Sequence, residues 1–227
     1  MRTELLAAMA AASLAAPAMA EPLVWSLQVE QLEHRWGADE NLLAWDGDFV
    51  IGKDELKLML RSEAEYSLTH DAFETFDNQA RLMTPISDFW DAGGGVMLST
   101  PEGETRVYAV AALHGLAPQW IEVDLEAYLS DKPFLRAELD YEGLITQRLI
   151  LTPSVEVTLP LADDDGIGAV GFGPVVELGA RLSYDVVDRL LSPYVGVHYE
   201  QRLGEAAARA GGDSGAVFFV AGAKILF

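Results

Sequence analysis

"ELKLMLRSEAEY", residues 55–66, places Leu56, Leu58, Leu60, Ala64 and Tyr66 on alternate positions, with Lys57, Met59, Arg61, Glu63 and Glu65 between them. Successive side chains of a strand point to opposite faces, so this segment makes one oily face and one charged face. In a soluble sandwich the oily face packs inward and the charges meet water. In a transmembrane barrel the sense is inverted, with apolar residues on lipid and polar residues in the lumen. Alternation alone does not choose between the two, and the rest of the chain has to.

The chain has 227 residues, Lys+Arg 15 against Asp+Glu 36, a formal charge of −21, 50% hydrophobic residues and no cysteine. That length suits one domain. The acidic balance argues against nucleic acid and anionic lipid as partners and favours cations. Without cysteine there is neither a disulfide nor a thiolate ligand.

Residues 1–20, "MRTELLAAMAAASLAAPAMA", have the form of a signal peptide: Arg2, an alanine- and leucine-rich stretch, and Ala18-Met19-Ala20 as a small-x-small cleavage site. Residues 21–227 are then the barrel domain. No apolar run in them approaches the roughly 18 residues that a spanning helix needs, so any membrane span is a strand. Period-two alternation punctuated by turn residues predicts twelve strands, near 23–36, 41–51, 55–67, 71–84, 88–99, 104–114, 119–130, 134–144, 147–159, 170–185, 191–202 and 216–227. "DKP" (131–133), "ADDDGIG" (162–168) and "GEAAARAGGDSG" (204–215) are the clearest connections.

Three features favour the membrane answer. The final strand, "AVFFVAGAKILF" (216–227), keeps Val217, Phe219, Ala221, Ala223, Ile225 and Phe227 on one face; such a strand is an aggregation hazard as an open edge and harmless once paired in a closed barrel. Trp25, Trp36, Trp45, Trp90, Trp120, Tyr184 and Tyr194 lie near strand ends, where interfacial girdles sit. With leucines outward, the lumen receives Glu63, Glu65, Glu122, Asp124, Glu126, Arg136, Glu138 and Asp140. The expectation is an all-β fold, an antiparallel transmembrane β-barrel of about twelve strands.

"VWSLQVEQLEHRWG", "LLAWDGDFVIGKDELKLMLRSEAE", "TPISDFWD", "HGLAPQWIEVDLEAYL", "RAELDYEGLITQRLILTPSVEVTL" and "SPYVGVHYEQRLG" follow one another from about residue 23 to the end. Together they resemble the copper resistance protein B family of bacteria. The resemblance implies an outer-membrane barrel, copper ions as the bound or transported species, and a periplasmic copper-resistance protein as a partner beside outer-membrane lipid. Members of the family often carry a methionine- and histidine-rich segment ahead of the barrel. Here the alternation begins almost directly after Ala20, and the methionines beyond it are Met59, Met83 and Met97.

Cupric copper favours imidazole and carboxylate, cuprous copper thioether. The dispersed ligand candidates are Glu33 and His34 in "QLEHRW" and His198 and Glu200 in "VHYEQR", which closure brings toward each other. His198 and Glu200 share a face, whereas only one of Glu33 and His34 can point inward. A histidine lining the lumen or a girdle is the commoner role of such residues. His114, beside Gly115, and His70, beside Asp71, offer less. Glu63, Glu65, Glu122 and Asp124 suit an electrostatic lining that concentrates cations. The alternative is a plug of charge pairs with Arg61, Arg136, Arg148 and Arg181. No serine, histidine and acid fall at a spacing that sets a nucleophile beside its base, so no enzyme is expected. A general cation-selective or structural barrel, and a soluble periplasmic ligand-binding barrel, are the competing classes.

Overall fold

The computed structural model describes residues 22–101, 105–187, 189–210 and 214–227; the predicted signal peptide at 1–20 lies outside them. The strands are β1 (Val24–Trp36), β2 (Asn41–Lys53), β3 (Leu56–Ser67), β4 (Ala72–Ser87), β5 (Trp90–Ser99), β6 (Arg106–Ala117), β7 (Ile121–Leu129), β8 (Phe134–Tyr141), the two-residue β9 (Gly143–Leu144), β10 (Leu149–Pro160), β11 (Val175–Tyr184), β12 (Leu191–Arg202) and β13 (Gly215–Leu226). β8 and β9 pair with the same neighbour, β10, and form one interrupted wall. The result is a closed antiparallel barrel of twelve walls, each paired with its neighbours in sequence. Closure is made by β13 on β1, extended by reciprocal backbone bonds from Leu27 N–H to Phe227 O (3.0 Å) and from Phe227 N–H to Leu27 O (2.8 Å).

The opening segment now has its answer. Leu56, Leu58 and Leu60 are exposed on the outside, while Arg61 is buried. Ala64 shares the outer face yet is fully covered; its register partners are Trp45 and Phe76, whose rings approach to 5.9 Å. Exposed Val96, Leu98, Val107, Leu129, Val195, Val197, Val217 and Phe219 continue the apolar exterior around the ring, as a lipid-facing belt requires.

The interior is partly filled by side chains. Met97, Tyr108, Val110 and Tyr128, with Phe134 against them, pack one side; Leu42, Tyr194, Phe218 and Val220 pack another. Gly95 has a packing reason: a Cβ there would lie 2.7 Å from the Cα of Arg81, its register partner and a fully buried residue. Trp25, Trp36, Trp120 and Tyr184 are exposed as a girdle demands. Tyr194 corrects that expectation: it shares the inward parity of Ser192 and His198, is buried, and its hydroxyl donates to Glu33.

Two boundaries moved. β11 starts at Val175 rather than near 170, because "GFGP" cannot hold a ladder: Phe172 takes φ 59° and Pro174 has no N–H. The connection at 204–215 contains a short helix, α1 (Gly204–Arg209), with Ala206 buried. One end of the barrel carries tight connections, 54–55, 88–89 and Pro118–Trp120, and the other the long ones, 161–174 and 203–214. Outer-membrane barrels keep short turns on the periplasmic side.

Candidate cation sites in the barrel lumen

Inward parity on neighbouring strands stacks acids and arginines into a lattice. Arg61 donates to Asp46 through Nε (3.2 Å) and Nη2 (2.7 Å) and lies within 3.7 Å of Glu126 and 3.6 Å of Glu138. Arg136 holds Glu63 with two nitrogens, one at 2.7 Å, and donates from Nε to Glu156 (2.8 Å). Arg35 joins Glu33 (2.7 Å) and Glu65, and Arg181 meets Glu33 through Nε (2.9 Å) and Nη2 (2.8 Å). Arg81 pairs with Glu126. The contacts of Arg61 with Glu126 and Glu138, and of Arg136 with Glu63, run between β3 and β7 or β8, on opposing walls, so they bridge the lumen. Of the four arginines expected in a plug, Arg61, Arg136 and Arg181 take part; Arg148 sits exposed between β9 and β10. Arg35 and Arg81 join those three.

The four lining acids all face inward but in different company. Glu63 and Glu65 are held by Arg136 and Arg35. Among the described residues, Glu122 and Asp124 have no arginine in their ion pairs, and they lie by His114. Asp48 and Asp77 each have a buried oxygen with no hydrogen-bond partner among the described residues.

Among the dispersed ligand candidates, Glu33 and His198 are both buried inside, and Arg35 touches both: its Nη1 is 3.4 Å from His198 Nε2, which is also 3.3 Å from Glu177. Glu33 accepts from two arginines and Tyr194. Glu200 lies one inward position further along β12, 3.8 Å from Arg202. His34 has the opposite parity to Glu33, and its ring lies tilted beside Trp36, centroids 4.1 Å apart.

Among the described residues, two clusters have converging donor atoms, and each is built on one of the other two histidines. His114 on β6 and Asp124 on β7 are register partners, with His114 Nδ1 2.9 Å from Asp124 Oδ1 and Nε2 3.7 Å from Glu122 Oε1. At the long-connection end, Glu40, His70 and Glu74 gather; Ser67 donates to Glu40 (2.7 Å), and His70 Nδ1 is 3.2 Å from the same oxygen. Burial acts to raise the Glu40 carboxyl, but hydrogen bonds with Glu74, Ser67 and His70 outweigh it and hold it below its ordinary value. The His114 group was readable in principle. "HGLAPQW" closes a tight hairpin in which Ala117 pairs with Ile121, and counting outward in pairs sets His114 opposite Asp124.

Over residues 23–227 the sequence matches the model of the family described as Copper resistance protein B precursor (CopB). The chain belongs to the copper resistance protein B family. It is 32% identical to a Copper resistance protein B of Escherichia coli over 204 residues, covering 88% of this chain and 68% of that protein. It is also 32% identical to a homologue from Pseudomonas syringae pv. tomato, covering 78% of this chain and 60% of the other. The chain therefore spans roughly two thirds of the length of these relatives. In fold it is similar to the KdgM porin (TM-score 0.54, 14% identity, 89% of this chain and 99% of that one) and to the NanC porin (TM-score 0.52, 12% identity, 89% and 99%).

Proposed function

We propose that this barrel serves copper resistance at the bacterial outer membrane by drawing copper ions into an acidic lumen, where they bind or pass, without catalysis. Lipid surrounds the apolar belt, and a periplasmic copper-resistance protein is the partner at the short-connection end. The observation that carries this reading is the surplus of inward carboxylate. Each of Arg35, Arg61 and Arg136 serves two or three acids, and Asp48, Asp77, Glu122 and Asp124 stay outside the arginine pairs. Fixed charge in a narrow, low-dielectric lumen raises local cation concentration. The cross-lumen contacts of Arg61 and Arg136 favour a second reading, a structural barrel held shut.

The test converts Glu63, Glu65, Glu122 and Asp124 to amides. Copper accumulation and copper tolerance in cells lacking other copper-resistance genes should change together, and copper bound per purified barrel should fall, more steeply at low ionic strength. A folded four-amide barrel with unchanged copper binding and tolerance would leave the lining a structural lattice.

A further inference from the structure

The β6–β7 hairpin carries an arrangement that a general surplus of acid does not explain. A carboxylate can only accept, so the contact with Asp124 places the proton of a neutral His114 on Nδ1, and Nε2 keeps its lone pair. That nitrogen lies 3.7 Å from Glu122 Oε1. Two donors each about 2 Å from one ion stand about 3 to 4 Å apart across the angles that metal coordination allows. A ligating imidazole whose other N–H is held by a carboxylate is the usual outer-shell device of protein metal sites. Asp124 supplies it here.

We propose that His114 Nε2 and the Glu122 carboxylate bind one cupric ion at the short-connection mouth of the barrel, with Asp124 as the residue that orients the imidazole. This rests on the reading of the barrel as a copper handler, and adds the place and the oxidation state. Beside the site, Glu30 and Asp140 line, with Glu122 but not His114, a cavity of about 90 Å³, and Asp140 is the register partner of Glu122 across β7–β8. The acid facing His114 from β5, Asp91, is committed to Lys57 (2.7 Å) and is not a ligand. Imidazole with carboxylates selects the cupric over the cuprous ion, and among first-row divalent ions cupric copper binds such sites most tightly.

The test uses the detergent-solubilised barrel titrated with cupric chloride and followed by electron paramagnetic resonance. The wild-type protein should give a tetragonal spectrum with hyperfine coupling to one imidazole nitrogen, at one ion per barrel. His114→Ala should lose that coupling. Asp124→Asn should keep the ligands and weaken the dissociation constant by about 10- to 100-fold, and Glu122→Gln should weaken it while leaving the nitrogen in place. A wild-type barrel without a nitrogen-coupled ion overturns the site whatever the variants do. So does coupling that survives His114→Ala and vanishes in His198→Ala. An absent spectrum beside a copper phenotype that responds to the four-amide change would remove this site and leave the lumen reading standing. A nitrogen-coupled site beside unchanged copper tolerance in the four-amide barrel would do the reverse.

Discussion

Arg136→Met is the perturbation that most sharply separates a sealed barrel from a wet one. The guanidinium on β8 crosses to Glu63 on β3 with two hydrogen bonds and reaches Glu156 on β10 with a third. Its side chain is 13% exposed, against 18% and 15% for its two partners. Removing one member of a buried pair leaves its partner's charge uncompensated, at about 3–5 kcal/mol. Partial exposure of both carboxylates pulls the expectation to the lower end, about 3 kcal/mol, or roughly a hundredfold in the unfolding equilibrium. Adding Glu63→Gln removes one stranded charge and should return about half of the loss, because Glu156 stays unpaired. Reversible urea unfolding from lipid vesicles, followed by tryptophan fluorescence, reads both numbers. Single-barrel conductance should rise in Arg136→Met, since a cross-lumen strut is gone. A cost under about 1 kcal/mol with unchanged conductance would mean that the pair is screened as surface pairs are, and that it neither braces nor blocks the lumen.

Leu60→Arg places a charge on the exposed outer face of β3 and should cost about 2–4 kcal/mol near the bilayer midplane, seen as loss of the heat-modifiable folded band; normal assembly would contradict the outward assignment. Deleting Phe227 removes the two backbone bonds to Leu27, at about 1 kcal/mol each, and should lower the folded fraction in membranes while secretion continues. Gly95→Val sets a branched side chain against the β4 backbone at Ala80 and Arg81 and should destabilise the barrel by about 1–3 kcal/mol; a neutral result in the same urea assay would show that the β4 backbone yields there.

Period two made the barrel legible. Leu56, Leu58 and Leu60 alternate with Lys57, Met59 and Arg61, and the pairing of β3 with β2 and β4 keeps that alternation up to Glu65, where the β4 ladder shifts register. Side-chain parity also put Glu63, Glu65, Glu122 and Asp124 inside, and left only one of Glu33 and His34 for the lumen. It could not supply what happens across the barrel. That Arg136 meets Glu63, 73 positions earlier, depends on closure and on the side chains that fill the interior. Tyr194 was misplaced for a related reason: an aromatic near a strand end suits a girdle, but parity with Ser192 sends it inward to Glu33. His114 taken by itself offers little, because its partners lie across a hairpin.

The lattice and the clusters also divide the labour along the lumen. A cupric ion gains from a carboxylate only what a guanidinium has not already taken. At Glu33, two arginines and a tyrosine occupy the oxygens, and at His198 the Arg35 guanidinium stands 3.4 Å from the nitrogen that would ligate. Repulsion between unit charges at that range, even at an effective dielectric of 20, is about 5 kcal/mol for a monovalent cation and about twice that for a divalent one. Among the described residues, His114 and Glu122 on one side, and Glu40, His70 and Glu74 on the other, have no arginine in their ion pairs. On the proposed reading, cations collect at the mouths, and passage between them would need Arg61 and Arg136 to release the acids on the far wall, so that binding is governed by the hairpin donors and passage by the arginine struts.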